Sequence, residues 1–276
     1  DLEGWEYRSL TSGDSTYTHR YYYYPSKKPD APVFLLIHGL NLDGRTFLHM
    51  QPLAERWQLI AYDLPEQSPV YSGSFDDWMT IMYDFVEQTG LQECCLGAVS
   101  FGAAIAVRLA AEHPTLKTNN IVLMSTSMLG ATPDQRRQSE SMGPYFGSLS
   151  DAKLYWVMET MINRSKDDLP ATENRDVRNV LRVKHPDFYR QVSLSLVGFN
   201  AGAYAKRIER PTLVVMGTED DLYDDDHEKQ MRSYIPHLEY RTIEGATHSM
   251  VYMHGEKVAA IVKEFCMRHC GFTWLE

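Results

Sequence analysis

Three short segments of the 276-residue chain carry side chains suited to nucleophilic chemistry. In Gly97-Ala98-Val99-Ser100-Phe101-Gly102 an apolar run enters a serine, and an alanine-rich stretch follows. That pattern fits a sharp strand–turn–helix bend, which lifts the hydroxyl clear of the backbone and demands small residues two before and two after the serine. Ala98 and Gly102 meet the demand. The bend also leaves the Phe101 amide at a helix N-terminus, where an unpaired N–H holds an anion. A serine hydroxyl needs a base to take its proton, and the base needs a third group to orient it. Candidates for both come later in the chain. The apolar run 213–216 leads through Gly217 into a crowd of acids: Glu219, Asp220, Asp221, Asp224, Asp225 and Asp226. Then Ile243-Glu244-Gly245-Ala246-Thr247-His248 ends in a histidine.

These residues work together only if the fold gathers them. Residues 5–9 and 17–24 read as a starting hairpin around the turn Ser12-Gly13-Asp14-Ser15, its second arm carrying the tyrosines 21–24. Continuous apolar runs follow at 33–37, 59–62, 95–99, 121–124 and 213–216, the pattern of parallel strands buried on both faces. Helix candidates lie between them at 48–55, 78–89, 101–113 and 229–234. A last one, 255–269, carries Val258, Ile261, Val262 and Phe265 at helical spacing. Such alternation predicts an α/β fold, a mostly parallel central sheet flanked by helices. Ser100, the acids and His248 each follow a strand, so all should lie at the sheet's carboxyl edge, where open α/β sheets gather ligands. His38-Gly39-Leu40 leaves the run 33–37 at the same edge. The interval 128–206 shows no buried strand, and about eighty residues is too long for a loop in a compact domain. It reads as a helical lid, dividing the chain into a core of 1–127 and 207–274 and a cap of 128–206.

With these pieces in place, the chain resembles the α/β-hydrolase superfamily, in the lid-bearing single-domain branch that includes small carboxylesterases. The resemblance runs over about residues 5–269. It rests on the serine bend, on the order Ser, Asp, His, on Pro211-Thr212-Leu213 and on Ala61-Tyr62-Asp63-Leu64-Pro65. That branch usually continues Gly-His-Gly, where this chain has Glu66-Gln67-Ser68. The resemblance implies Ser100 as nucleophile, His248 as base and Asp220, three residues past Gly217, as the orienting acid. It also implies the Leu40 and Phe101 amides as an oxyanion hole. His38 then braces its loop, and Asp224, Asp225 and Asp226 serve the N-terminus of the next helix. Gly39, Met128, Tyr155, Trp156 and Met250 are the expected substrate-binding residues. Met128, Met142, Tyr145, Phe146, Met158 and Met161 are soft and adaptable, which suits short to medium acyl chains. Carboxylic ester hydrolysis is the expected activity. Hydrolysis of carbon–carbon bonds, lactones or thioesters, acyl transfer and perhydrolysis share the same triad, and a ligand-binding receptor shares the same fold. Haloalkane dehalogenases and epoxide hydrolases use a carboxylate nucleophile, which Ser100 is not.

Composition narrows the partners. A net charge of −10 opposes binding to nucleic acid or to an anionic membrane surface. No apolar run approaches the ~18 residues of a membrane span. Cys94 and Cys95 are adjacent and so alternate faces on a strand. Cys266 and Cys270 share a helical face with His269 but read as packed, reduced thiols. No metal and no cofactor is therefore expected, and the compartment reads as reducing and cytoplasmic. No leader is visible, Leu275-Glu276 reads as a vector-derived scar, and Asn163-Arg164-Ser165 as a chance sequon. The expected partner is a small-molecule ester, with a homodimer as the candidate assembly.

Overall fold

The structure, a computed structural model, describes residues 4–40, 42–64, 74–128, 148–153, 200–223 and 225–269. Eight strands form its frame: β1 Glu6–Thr11, β2 Thr18–Tyr24, β3 Val33–Ile37, β4 Gln58–Asp63, β5 Glu93–Val99, β6 Lys117–Met124, β7 Thr212–Gly217 and β8 Glu239–Ile243. They lie side by side in the order β1-β2-β4-β3-β5-β6-β7-β8. β1 on β2 and β2 on β4 are antiparallel, and each of the other pairings is parallel. This is the α/β class that the strand pattern predicts.

Helices among the described residues include α1 Phe75–Thr89, α2 Phe101–Glu112, α3 Gly202–Ala205, α4 His227–Tyr234, α5 Met250–Met253 and α6 Gly255–His269. The candidate at 48–55 is instead part of a 3₁₀ segment, Gly44–Glu55. Pro52 lies inside it, where its ring clashes with an α-helical carbonyl. α1 is closed by a capping box between Ser74 and Asp77 and by Gly90 at φ 67°. At α4 the acids do less than expected: Asp226 sits at the N-cap without a side-chain cap bond.

Strand alternation divides the core. In β3, Leu35 and Ile37 join the apolar layer that holds α1 and α2, while Phe34 and Leu36 join the layer of the 3₁₀ segment and α6. All four have no exposed surface, a gain of roughly 1.5–3 kcal/mol for each such side chain. Cys94 and Cys95 part in the same way, one to each layer, and neither they nor Cys266 are in a disulfide.

One polar cluster lies inside the α1 layer. The His19 side chain is wholly buried, with Nε2 2.7 Å from Asp84 Oδ2 and Nδ1 2.6 Å from the Tyr62 hydroxyl. A carboxylate only accepts, so Nε2 carries the ring proton and Tyr62 donates to Nδ1. The Gly13 amide and the Tyr17 hydroxyl donate to the same carboxylate, tying the first hairpin to α1.

The expected cap is described only at Met128, 148–153 and 200–206, where the Ala201 amide donates to the Met128 carbonyl at 3.0 Å. Met142, Tyr145, Phe146, Tyr155, Trp156, Met158 and Met161 lie outside the described residues, as do Glu66-Gln67-Ser68, Asn163-Arg164-Ser165, Asp224 and Cys270. Among the described residues, no helix is long and apolar enough to cross a membrane.

Candidate active site

Ser100 follows β5 directly and precedes α2, with φ 50° and ψ −121°. A residue other than glycine persists in that region only where its surroundings hold it. Its amide donates to the Met124 carbonyl at 2.9 Å, and its own carbonyl accepts from the Thr126 hydroxyl at 2.9 Å. The tightness of the bend is clearest at Gly102. A Cβ there would stand 2.3 Å from the His38 carbonyl oxygen and 2.6 Å from that of Ile37, so no side chain fits. Two residues before the serine, Ala98 is fully buried, and its methyl takes the place of the more usual glycine.

Asp220 and His248 arrive on loops after β7 and β8, and those loops are stitched together. The Glu219 amide donates to the Ala246 carbonyl at 2.9 Å, and the Gly245 amide to the Thr218 hydroxyl at 2.8 Å. They approach so closely that a Cβ on Gly217 would fall 2.0 Å from the Ala246 oxygen. Glycine is required there by space alone.

Held this way, the three side chains meet. His248 Nε2 is 3.1 Å from Ser100 Oγ. Its Nδ1 is 2.9 Å from Asp220 Oδ2 and 3.2 Å from Oδ1. The Asp220 side chain is 1 % exposed against 31 % for His248. A buried carboxylate that only accepts fixes the proton on Nδ1 and leaves Nε2 free to accept from the serine. Asp220 also takes the Leu222 amide on Oδ1 at 3.3 Å. Beside it the Tyr223 phenol is pushed well above its usual range, first by burial and then by the Asp220 charge.

The loop after β3 lies against the serine. A Cβ on Gly39 would be 3.2 Å from Ser100 Cβ. His38 braces this loop from within: it is 1 % exposed, its Nε2 accepts from the Leu64 amide at 3.0 Å, and its Nδ1 donates to the Gly39 carbonyl at 2.7 Å. With both ring nitrogens engaged, His38 fixes the loop and stays out of proton transfer. The Phe101 amide, first in α2, has no acceptor within the helix. The Phe101 amide directly follows the serine, and the Leu40 amide belongs to the loop whose Gly39 lies against it.

The expected substrate-binding residues divide. Gly39 adjoins the serine. Met128 is 1 % exposed in the α1 layer, and Met250 has no exposed surface in the opposite one, so neither offers surface to a ligand in this conformation. Met250 opens α5 just past His248, and its side chain turns down into the core. Tyr155 and Trp156 lie outside the described residues. The residues missed from sequence are Thr126 and Leu64, whose parts depend on one hydroxyl or one amide and leave no pattern in the chain.

Among the described residues there is no group of three or more His, Cys, Asp or Glu placed to hold a metal ion.

Known proteins share this architecture. An esterase from Thermogutta terrifontis superposes with a TM-score of 0.77 at 17 % identity, covering 96 % of this chain and 99 % of that one. An esterase from Exiguobacterium antarcticum gives 0.78 at 14 % identity, covering 94 % and 98 %. The chain is also 30 % identical over 251 residues to polyketide synthase ThaQ of Burkholderia thailandensis, a stretch that takes in 85 % of this chain and only 12 % of that protein. It is 22 % identical to epoxide hydrolase 1 of Caenorhabditis elegans, over 97 % of this chain and 72 % of that one. The sequence pattern of the alpha/beta hydrolase family matches residues 34–261, and the chain belongs to that family.

Proposed function

We propose that the chain hydrolyses carboxylic esters of short to medium acyl chains through an acyl-enzyme on Ser100. The observation that supports this reading is the unbroken run from Ser100 Oγ to His248 Nε2 at 3.1 Å and from His248 Nδ1 to buried Asp220 at 2.9 Å. Ser100 attacks the acyl carbonyl while His248 takes its proton. Asp220 stabilises the imidazolium that results, and the Leu40 and Phe101 amides receive the negative oxygen. His248 then gives its proton to the departing alcohol. Water, deprotonated by the same imidazole, releases the acid. The test is Ser100→Ala, which should lower kcat on a p-nitrophenyl ester by several orders of magnitude, toward the residual ~10³–10⁴-fold catalysis that remains when a triad member is lost. A fluorophosphonate should label the parent at Ser100. Near-parental turnover by the alanine variant would remove the reading.

The likeness to part of a polyketide synthase supports a second reading, in which the acyl group arrives as a thioester. A thiolate leaves more readily than an alkoxide, so the site would need less proton donation from His248. An ester and a thioester carrying the same acyl group separate the two by their kcat/KM values.

A further inference from the structure

His227 opens α4 and is 4 % exposed. Its Nε2 lies 2.6 Å from the Thr126 carbonyl oxygen and its Nδ1 2.8 Å from the Tyr240 hydroxyl. A carbonyl only accepts, so Nε2 carries the proton, and Tyr240 donates to Nδ1. The Thr126 hydroxyl in turn donates to the carbonyl of Ser100 at 2.9 Å. Tyr240 belongs to β8, so four residues link the strand that delivers His248 to the bend that carries the serine. Tyr223 runs beside this chain. Its ring centre is 4.8 Å from that of His227 and 6.1 Å from that of His248, and its hydroxyl donates to the Ser125 carbonyl at 3.2 Å.

The backbone around Thr126 needs such support. Ser100 at φ 50° and Ser125 at φ 47° both stand in the left-handed region without being glycine. One precedes α2 and the other follows β6, and the Thr126 bond joins them. Conformations of this kind persist only where neighbours over-determine them. The sheet holds one side of the serine bend through the Ser100 amide on Met124. On the other side the Ser100 carbonyl accepts from the Ala103 amide at 3.0 Å within the helix and from the Thr126 hydroxyl across it, and the backbone of Thr126 is pinned by His227 and, one residue earlier, by Tyr223.

We propose that His227 is a positioning residue for the Ser100 nucleophile, acting as the neutral Nε2–H donor that fixes Thr126 and through it the serine carbonyl. The proposal rests on the serine-hydrolase reading above. His227 touches no reacting atom, so its removal should change kcat and leave KM nearly alone.

His227→Phe keeps a ring and removes the donor, His227→Gln supplies an amide N–H, and Thr126→Val removes the hydroxyl without changing shape. Each is measured for kcat and KM on a p-nitrophenyl ester, for the rate of fluorophosphonate labelling at Ser100, and for Tm. His227→Phe and Thr126→Val should each lower kcat and the labelling rate ~10- to 100-fold, the cost of a misplacement of about 1 Å from beyond the reacting groups. KM should change less than about threefold, since the substrate's binding contacts are left in place. His227→Gln should recover most of the loss. In the double variant the two losses should not add, because they break one chain of contacts. Parental kcat and labelling in folded His227→Phe would overturn the proposal, as would full additivity or equal losses in the Phe and Gln variants. If His227→Phe does not fold, parental kcat in Thr126→Val overturns it. A parent that fluorophosphonate does not label, with Ser100→Ala as active as the parent, fails at the earlier reading and takes this one with it.

Discussion

A hydroxyl attacks only when its proton has somewhere to go, and at Ser100 that path is two hydrogen bonds long. The second bond decides which acid matters. Asp220 is buried and on His248 Nδ1, whereas Asp221 is exposed. Asp220→Asn should therefore leave the imidazole in the wrong tautomer and lower kcat by ~10⁴, the scale of the equivalent serine-protease change. Asp221→Asn should stay within about tenfold, since its exposed carboxylate is not the one on the imidazole. Steady-state kinetics of both variants checks the pair, and a large loss from Asp221→Asn would mean that the acid was misread. A second expectation concerns Gly102→Ala, whose methyl must displace the His38 and Ile37 carbonyls. Its Tm should fall and its kcat should drop together, because those carbonyls end the strand that carries the Gly39 loop. Ser100 stood out because it follows an apolar run at a strand end, and His248 because it closes the loop Glu244-Gly245-Ala246-Thr247 after Ile243. Asp220 was legible only by its distance from Gly217 among five other acids. Thr126, Leu64 and His227 were not, since their parts come from partners up to about a hundred positions away in the chain.

The elements depend on a few polar fastenings as much as on apolar contact. α1 is held to the first hairpin by His19 and Asp84, and both titrate. Burial holds His19 below its ordinary range, so the folded chain binds fewer protons than the unfolded one just below pH ~6.5. Burial alone would raise Asp84, yet the bonds from His19, Gly13 and Tyr17 together hold it below the usual carboxylate range. For the histidine, stability is present above the unfolded value and is lost as pH falls through it. For the carboxyl, the loss comes lower, below pH ~3.9. Thermal unfolding followed from pH 7 to pH 5 should show a falling Tm. His19→Gln should start lower at pH 7 and show a flatter slope, and an unchanged slope would clear His19 of the effect. Apolar runs made the parallel strands β3 to β7 legible, and helical spacing did the same for α6. The 3₁₀ segment was misread because its apolar residues match a helix and only Pro52 warns otherwise. The His19 cluster gave no warning, since a strand rich in tyrosine reads alike whether its histidine is bare or paired.

For the whole molecule, one sheet serves two apolar layers, so neither layer should unfold alone. Phe85→Ala in the α1 layer and Phe265→Ala in the α6 layer should each cost about 3–5 kcal/mol, adding nearly in full across the sheet. Urea unfolding followed by tryptophan fluorescence and by far-ultraviolet circular dichroism should give one coincident transition in each variant. Separate midpoints would mean that the layers are independent. The strand order carries a consequence for biosynthesis. β5, β6, β7 and β8 join the sheet in the order in which a ribosome makes them, each on the edge left by the one before. The sheet can therefore grow by accretion as the chain emerges. At every stage before the last, however, it presents a sticky parallel edge made of residues such as Val214 and Val215, open to pairing with a neighbouring nascent chain. β8 closes that risk, since its Glu239 and Arg241 make a charged outer strand on which another chain gains little by stacking. The strand that brings the histidine loop into being is thus also the one that ends the chain's most aggregation-prone interval.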